Sequence, residues 1–103
     1  MPTVYLTAPP EAADMLATSL VEHRLAACVN QLACTSTYRW EGDIVQEPEV
    51  VLFAKTSADR YDALVEHVCD IHPHDVPCIE RIDEADVLDA YAAWRDDETR
   101  VRS

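Results

Sequence analysis

The sequence predicts a single α+β domain over residues 1–103. Strand, helix, long hairpin, helix, strand and helix follow one another, which is a split βαβ order with an extra C-terminal helix. The hairpin turns at Glu41-Gly42-Asp43, where the only glycine of the chain lies. We find no linker, repeat or low-complexity segment, and 103 residues is an ordinary length for one domain. We therefore expect a four-stranded antiparallel sheet with the first two helices on one face.

The first unit is a strand followed by an amphipathic helix. Residues 3–7 (TVYLT) are apolar and β-rich, which is typical of a strand. Pro9-Pro10-Glu11 ends the strand and opens a helix, with proline at an early position and an acid near the N-terminus. Apolar residues then recur at helical spacing, and we expect the helix to end near residues 24–25.

Two long strands are expected on either side of the glycine turn, over residues 26–40 and 44–56. Both exceed the usual strand length of about five or six residues. Pro48 cannot donate a ladder hydrogen bond, so we expect it at an edge or a bulge. The surplus strand length is a candidate for pairing with another subunit.

The second half should repeat the alternation of helix and strand. Ser57 is a candidate N-cap for a helix that ends before His72-Pro73, because proline disfavours helical geometry in the residue ahead of it. Residues 78–82 predict the last strand, and Asp83 can cap the last helix. The apolar face of that helix is expected to comprise Val87, Leu88, Tyr91 and Trp94.

Charge is the most distinctive feature of the composition. Asp and Glu number 20 against 8 Lys and Arg, for a formal net charge of −12. This surface repels nucleic acid and anionic lipid, so we expect neither as a partner. Because a Debye length of about 3 Å at 1 M salt would make the charge tolerable, we expect a salt-adapted source. No apolar run or signal pattern suggests a membrane or an export route, so we expect a cytoplasmic protein.

The four cysteines are expected to be free thiols. No C-x-x-C spacing occurs, which disfavours zinc-ribbon and thioredoxin-type sites. Cys28 and Cys34 should share one strand about 20 Å apart, whereas a disulfide needs Cα atoms within about 7 Å. Cys69 follows the apolar stripe of the second helix, and we expect it in the core.

Residues 69–78 contain the densest group of metal-ligand residue types, in the pattern C-x-x-H-x-H-x-x-x-C. His72, His74 and Cys78 are the candidate ligands. His72 and His74 flank a proline, and we expect their side chains to point to opposite sides of an extended chain. A stiff connection from helix to strand is therefore the alternative to a metal site. No nucleophile elbow, phosphate loop or H-E-x-x-H motif is present, and we expect no enzyme activity and no organic cofactor.

Several short motifs together resemble the CutA family of divalent-cation tolerance proteins. They are Leu25-Ala26-Ala27-Cys28-Val29-Asn30, Tyr38-Arg39-Trp40-Glu41-Gly42, Glu49-Val50 followed by Lys55-Thr56, His72-Pro73 with Val76-Pro77, and Tyr91 followed by Trp94. They occur in family order from the first strand to the last helix. The resemblance implies a ferredoxin-like fold and a homotrimer built by the long hairpins. It also implies an association with copper and other divalent cations.

The resemblance implies a metal site that is altered in this chain. In some bacterial members, copper is bound by a cysteine late in the first strand and two adjacent histidines before the proline. Leu6 and Ile71 stand at two of these positions here, and His72 keeps the third. The family's tyrosine and acid further along are replaced by His74 and Cys78, which could supply ligands with a different geometry.

The family architecture is shared with PII-type signalling trimers, which bind small effectors in clefts between subunits. We expect Tyr38, Trp40, Glu41 and Lys55 in or near such a cleft. Simple interface packing is the alternative role for Trp40. Lys55 is the only lysine, and it could bind an anion or pair with a neighbouring carboxylate. The competing function is thus a PII-like trimer that binds an effector anion without metal chemistry.

Overall fold

The computed structural model describes residues 2–101 and confirms the α+β, ferredoxin-like arrangement. The elements are β1 (Pro2–Ala8), α1 (Pro10–Glu22), β2 (Cys28–Trp40), β3 (Asp43–Lys55), a 3-10 turn (Ala58–Arg60), α2 (Tyr61–Ile71), β4 (Ile79–Asp83) and α3 (Asp89–Glu98). The four strands form one sheet in the order β2-β3-β1-β4. Every neighbouring pair is antiparallel.

The core lies between one face of the sheet and helices α1 and α2. Because strand side chains alternate between faces, every second residue of β1 points into this core. Its fully buried members include Val4, Leu6, Leu16, Leu20, Leu52, Leu64 and Val68. On the opposite face α1 and α2 provide no cover, and the ring of Tyr5 packs edge-on against Phe53 there, 5.8 Å between centroids.

The β2–β3 hairpin is regular over its whole length. Its pairs run without a bulge from Cys28 with Lys55 to Trp40 with Asp43. Glu41 and Gly42 form the turn with φ of 50° and 86°, the positive values that a two-residue hairpin turn of type I′ requires. β1 pairs with β3 only over residues 50–55. The distal half of the hairpin therefore projects as a two-stranded ribbon, which we call the hairpin ribbon (residues 35–49).

Pro48 lies in the hairpin ribbon, opposite Thr35. Since β1 does not reach this point, the second side of β3 is an edge, as the sequence predicts. Pairing stays in register here, so the proline causes no bulge.

Three local expectations were wrong. Asp83 does not cap α3, because it pairs with Pro2 at the end of β4, and α3 begins after Leu88. The Ser57 side chain makes no cap hydrogen bond, and its Oγ accepts a hydrogen bond from Thr99 Oγ1 at 3.1 Å. Cys69 is exposed, because one helical step of about 100° beyond the buried Val68 turns away from the core.

The apolar residues expected on α3 are only partly buried. Val87 and Leu88 precede the helix, and Val87 and Tyr91 are half-buried. Leu88 is 75% exposed and Trp94 44% exposed, whereas Arg95 is completely buried. Arg95 donates to Glu84 Oε1 at 2.6 Å, and this pair anchors the helix to the segment that follows β4. No helix within residues 2–101 has both the length and the apolarity to cross a membrane.

Candidate functional site

A groove of about 550 Å³ opens between the hairpin ribbon and the loop from α2 to β4, on the sheet face that α1 and α2 leave uncovered. Its lining comprises Thr7, Tyr38, Trp40, Glu47, Glu49, His74, Asp75, Val76 and Cys78. Both the ribbon and the loop contribute because each extends past the end of β1. The groove brings together four of the residues that the sequence singled out, namely Tyr38, Trp40, His74 and Cys78.

His72 is buried at the base of this loop and is hydrogen-bonded at both ring nitrogens. Its Nε2 lies 2.8 Å from the carbonyl oxygen of Thr7, to which it must donate. Its Nδ1 accepts from the backbone N–H of His74 at 3.0 Å. The neutral Nε2–H tautomer satisfies both bonds. A metal ion could bind His72 only by displacing one of them.

The rings of His72 and His74 lie on the same side of the chain, with centroids 5.0 Å apart. The expectation that they point to opposite sides was wrong. In an extended segment residues i and i+2 share a face, and the bond from the His74 N–H to His72 holds this arrangement. His74 is exposed and has its ring available to the groove.

Cys78 supplies the sulfur of the groove. Its Sγ donates to Glu80 Oε1 at 3.6 Å. Partial burial raises the pKa of the Cys78 thiol, and the negative charge of Glu80 raises it further. The thiol therefore stays protonated at neutral pH, and a cation bound nearby would be needed to favour the thiolate.

The hairpin side of the groove is built on one face of the ribbon. Tyr38 Oη donates to Glu47 Oε1 at 2.6 Å, and this hydrogen bond is the main cause of the raised pKa of Tyr38. Glu49, two residues further along β3, is buried on the same face. Trp40 is 63% exposed at the end of β2, so a single chain leaves most of its indole uncovered.

Glu41 and Lys55 lie outside the groove. Glu41 occupies the tip of the hairpin. Lys55 is at the opposite end of β3, paired with Thr3 and Cys28. Twelve residues at about 3.3 Å each separate Lys55 from the start of β3, roughly 40 Å. Within one chain, the seven predicted site residues therefore do not form one cluster.

The groove is acidic. Three carboxylates (Glu47, Glu49 and Asp75) line it, and no Lys or Arg does. Such a concave surface attracts cations and repels anions. Among residues 2–101, however, no three His, Cys, Asp or Glu side chains converge closely enough to hold a metal ion.

Sequence reasoning missed the carboxylates. Glu47 and Glu49 alternate with Gln46 and Pro48, a period-two pattern that places both acids on one strand face. That spacing was the available signal. Within so acidic a chain it was indistinguishable from an ordinary solvated strand.

Comparison with known proteins assigns the family. The sequence model of the CutA1 divalent ion tolerance proteins matches residues 2–98. The chain belongs to this family. The divalent-cation tolerance protein CutA of Pyrococcus horikoshii is 40% identical over 98 residues, covering 94% of this chain and 96% of the relative. The protein of the same name from Thermus thermophilus is 41% identical over 93 residues, covering 88% and 90%.

Solved structures agree with this membership. A crystal structure of a Pyrococcus horikoshii CutA1 variant superimposes with a TM-score of 0.95 at 38% identity, covering 98% of this chain and all of the other. A protein from a Nostoc species, described as a PII-like protein CutA, gives 0.94 at 31% identity, covering 99% and 100%. The CutA fold is thus complete in this chain, and it is similar to one described as PII-like.

Proposed function

We propose that this CutA protein binds a divalent metal ion in the groove and acts in the tolerance of, or response to, such ions, with copper as the preferred metal. His74 and Cys78 are the proposed ligands. The observation that carries the proposal is that both residues line one groove whose other lining residues include the carboxylates Glu47, Glu49 and Asp75. In this proposal His72 is not a ligand. Its ring positions His74, because its Nδ1 accepts the backbone N–H of that residue.

The donor types favour a transition metal over magnesium or calcium. Imidazole nitrogen and cysteine sulfur suit copper and zinc, whereas the hard cations prefer a cage of oxygen atoms. Because one chain offers two such ligands, we expect binding no tighter than micromolar. Carboxylates of the groove or of a second chain would complete the coordination.

A homotrimer is part of the proposal, and the surface of the single chain supports it. A two-stranded ribbon is marginally stable alone, yet this ribbon carries Trp40 and Ile44, which are 63% and 70% exposed. The uncovered sheet face adds Leu32 and Ile82, 52% and 48% exposed. Burying these apolar groups against neighbouring chains would stabilise ribbon and groove together.

The alternative is a PII-like trimer that binds a small effector anion. The PII-like description of the Nostoc relative and the lone Lys55 favour it. Lys55 is half-buried and makes no ion pair with any other residue between 2 and 101, so its ammonium has no counter-charge within the described chain. The acidic lining of the groove weighs against an anion there. For this reason we place metal binding first.

Cellular context and mode of action complete the proposal. All four cysteines are free thiols, which fits the reducing environment of a cytoplasm. The formal charge of −12 fits a salt-adapted organism and disfavours nucleic acid or an anionic membrane as a partner. We propose a binding role without catalysis or an organic cofactor.

Titration calorimetry with copper(II) and zinc(II) in 1 M salt tests the metal proposal. We expect His74→Ala and Cys78→Ser each to weaken copper binding at the groove at least tenfold. Cys69→Ser is the matched control, because it removes an exposed thiol outside the groove. Copper binding that neither groove substitution weakens would overturn the proposal. Binding of a nucleotide that Lys55→Ala abolishes would instead support the alternative.

A further inference from the structure

Two histidines that the groove does not use meet where α1 and α2 pack together. His23 is the residue after the end of α1, and His67 lies in the middle of α2. Their ring centroids are 4.6 Å apart, with the ring planes tilted by 42°. His23 is exposed and His67 half-buried, so the pair is open to solvent.

A backbone hydrogen bond fixes the tautomer of His23. Its Nδ1 lies 2.8 Å from the carbonyl oxygen of Ser19 and must donate to it. The neutral ring then carries its free lone pair on Nε2. Metal-binding histidines usually donate their other ring N–H to a carbonyl or carboxylate in this way. His72 differs, because both of its nitrogens are already in use.

The same serine positions His67. Ser19 Oγ is 2.7 Å from His67 Nε2 and 3.5 Å from His23 Nδ1. One hydroxyl therefore holds both rings at the junction of the helices. Neither His67 Nδ1 nor His23 Nε2 has a hydrogen-bond partner within the described part of the chain. In the tautomer of His67 whose Nε2–H donates to Ser19 Oγ, Nδ1 carries a lone pair, so each ring then keeps a nitrogen for an external ligand.

The spacing of the rings suits one shared ion. A metal–nitrogen bond of about 2.0–2.1 Å puts the metal about 3.2 Å from the centre of an imidazole ring. Two imidazoles at angles of about 90–110° around such an ion would have centres about 4.5–5.2 Å apart. The observed 4.6 Å falls within that interval.

We infer that His23 and His67 form a second site for a borderline divalent cation such as copper, nickel or zinc. The ion would bridge α1 and α2, with water completing its coordination, because no third His, Cys, Asp or Glu of residues 2–101 converges on the pair. The Arg60 guanidinium lies near the carbonyl oxygen of His23, with Nη2 at 3.5 Å, and its positive charge keeps the affinity modest. This site shares no residue with the groove and goes beyond the proposed function.

The test uses the protein carrying His74→Ala and Cys78→Ser. Because these substitutions remove the proposed groove ligands, metal binding that remains can be assigned to the second site. Copper(II) is titrated by calorimetry, and the bound ion is observed by electron paramagnetic resonance. We expect coupling to two imidazole nitrogens, and at least tenfold weaker binding after either His23→Ala or His67→Ala. Calcium should not bind, since two imidazoles offer it no oxygen ligands.

Thermal melts with nickel(II) provide a second measurement of binding at this site. Nickel(II) should raise the melting temperature of the same protein and have no such effect after His67→Gln, because an ion that binds only the folded state stabilises it. A circular dichroism spectrum establishes that His67→Gln is folded. Copper binding unchanged by both alanine substitutions would overturn the inference. The inference would also be overturned if only one of the two alanine substitutions weakened copper binding, because the ion would then be bound by a single histidine.

Discussion

The Nδ1 atom of His72 accepts the backbone N–H of His74 at 3.0 Å. Through its other nitrogen the same ring donates to the Thr7 carbonyl, 65 positions earlier in the chain, at 2.8 Å. One side chain thus joins β1 to the loop that carries the groove residues His74 and Cys78. The position of the groove relative to the sheet depends on this ring.

We predict that His72→Ala destabilises the protein by roughly 2–4 kcal/mol. The substitution removes a buried ring and leaves two backbone groups without partners, each costing about 1–3 kcal/mol where water cannot replace the bond. Urea unfolding measures the change. Val76→Ala is the control, because this side chain lies in the same loop and is 88% exposed. Equal stability of the two variants would contradict a structural role for His72.

The regular parts of the fold could be predicted from local chemistry. The Glu41-Gly42 turn and the strand patterns beside it define the hairpin, and Pro73 ends α2 near the expected place. The start of α3 could not be predicted from local chemistry, because the residue that anchors this helix is an arginine. The buried Arg95 is paired through Nη1 with Glu84, and hydrophobic periodicity cannot reveal such a pair.

The candidate site was predicted in part for a similar reason. His74 and Cys78 are close in sequence, and their residue types suggest metal binding. Their groove partners Glu47 and Glu49 come from a strand about 30 positions earlier, so only the folded hairpin shows the proximity. Both ring nitrogens of His72 are occupied only because the fold brings the Thr7 carbonyl, 65 positions earlier, to its Nε2. Local patterns thus identified candidate ligands but not the geometry that selects among them.

The hairpin ribbon provides a test of the proposed trimer. We predict that Ile44→Asp converts the trimer to monomers, because Ile44 is 70% exposed on a single chain and an aspartate would bury a charge at the interface. Light scattering after gel filtration in 2 M salt measures the mass. Val21→Asp, at a 44% exposed site on α1, should leave the mass unchanged. A monomeric parent protein would remove the basis for the trimer.

High negative charge should make assembly depend on salt. Three chains carry a formal −36, three times the −12 of one. We predict that raising sodium chloride from 0.1 to 2 M increases the melting temperature and the trimer fraction, because screening shortens the Debye length from about 10 Å to below 3 Å. The increase in melting temperature with salt should be smaller in a variant with Asp14→Asn, Asp62→Asn and Glu66→Gln, because these exposed sites then carry less negative charge. Salt-independent melting of the parent would argue against salt adaptation.

The ion pair between Arg95 and Glu84 gives a prediction for pH. The pair spans 2.6 Å, with the arginine side chain 1% and the glutamate 21% exposed. Burial alone would raise the pKa of the Glu84 carboxyl. The hydrogen bond from Arg95, a hydrogen bond from the Glu84 backbone, the charge of Arg95 and a hydrogen bond from Thr3 together outweigh burial and hold the pKa below its ordinary value of 4.5. The folded state therefore favours the carboxylate more than the unfolded state does.

We predict that Glu84→Gln destabilises the protein by roughly 3 kcal/mol at pH 7, because it leaves a buried guanidinium without its counter-charge. The contribution of Glu84 is fully present above pH 4.5 and is lost as pH falls through the lower, folded-state pKa. Urea unfolding from pH 7 down to pH 3 should show the parent and the variant converging below pH 4.5. Asp83→Asn is the matched control, since its bridge to Arg81 is exposed and its loss should cost less than about 1 kcal/mol. If the difference in free energy of unfolding between the parent and Glu84→Gln stays constant down to pH 3, the ionised carboxylate is not what stabilises α3.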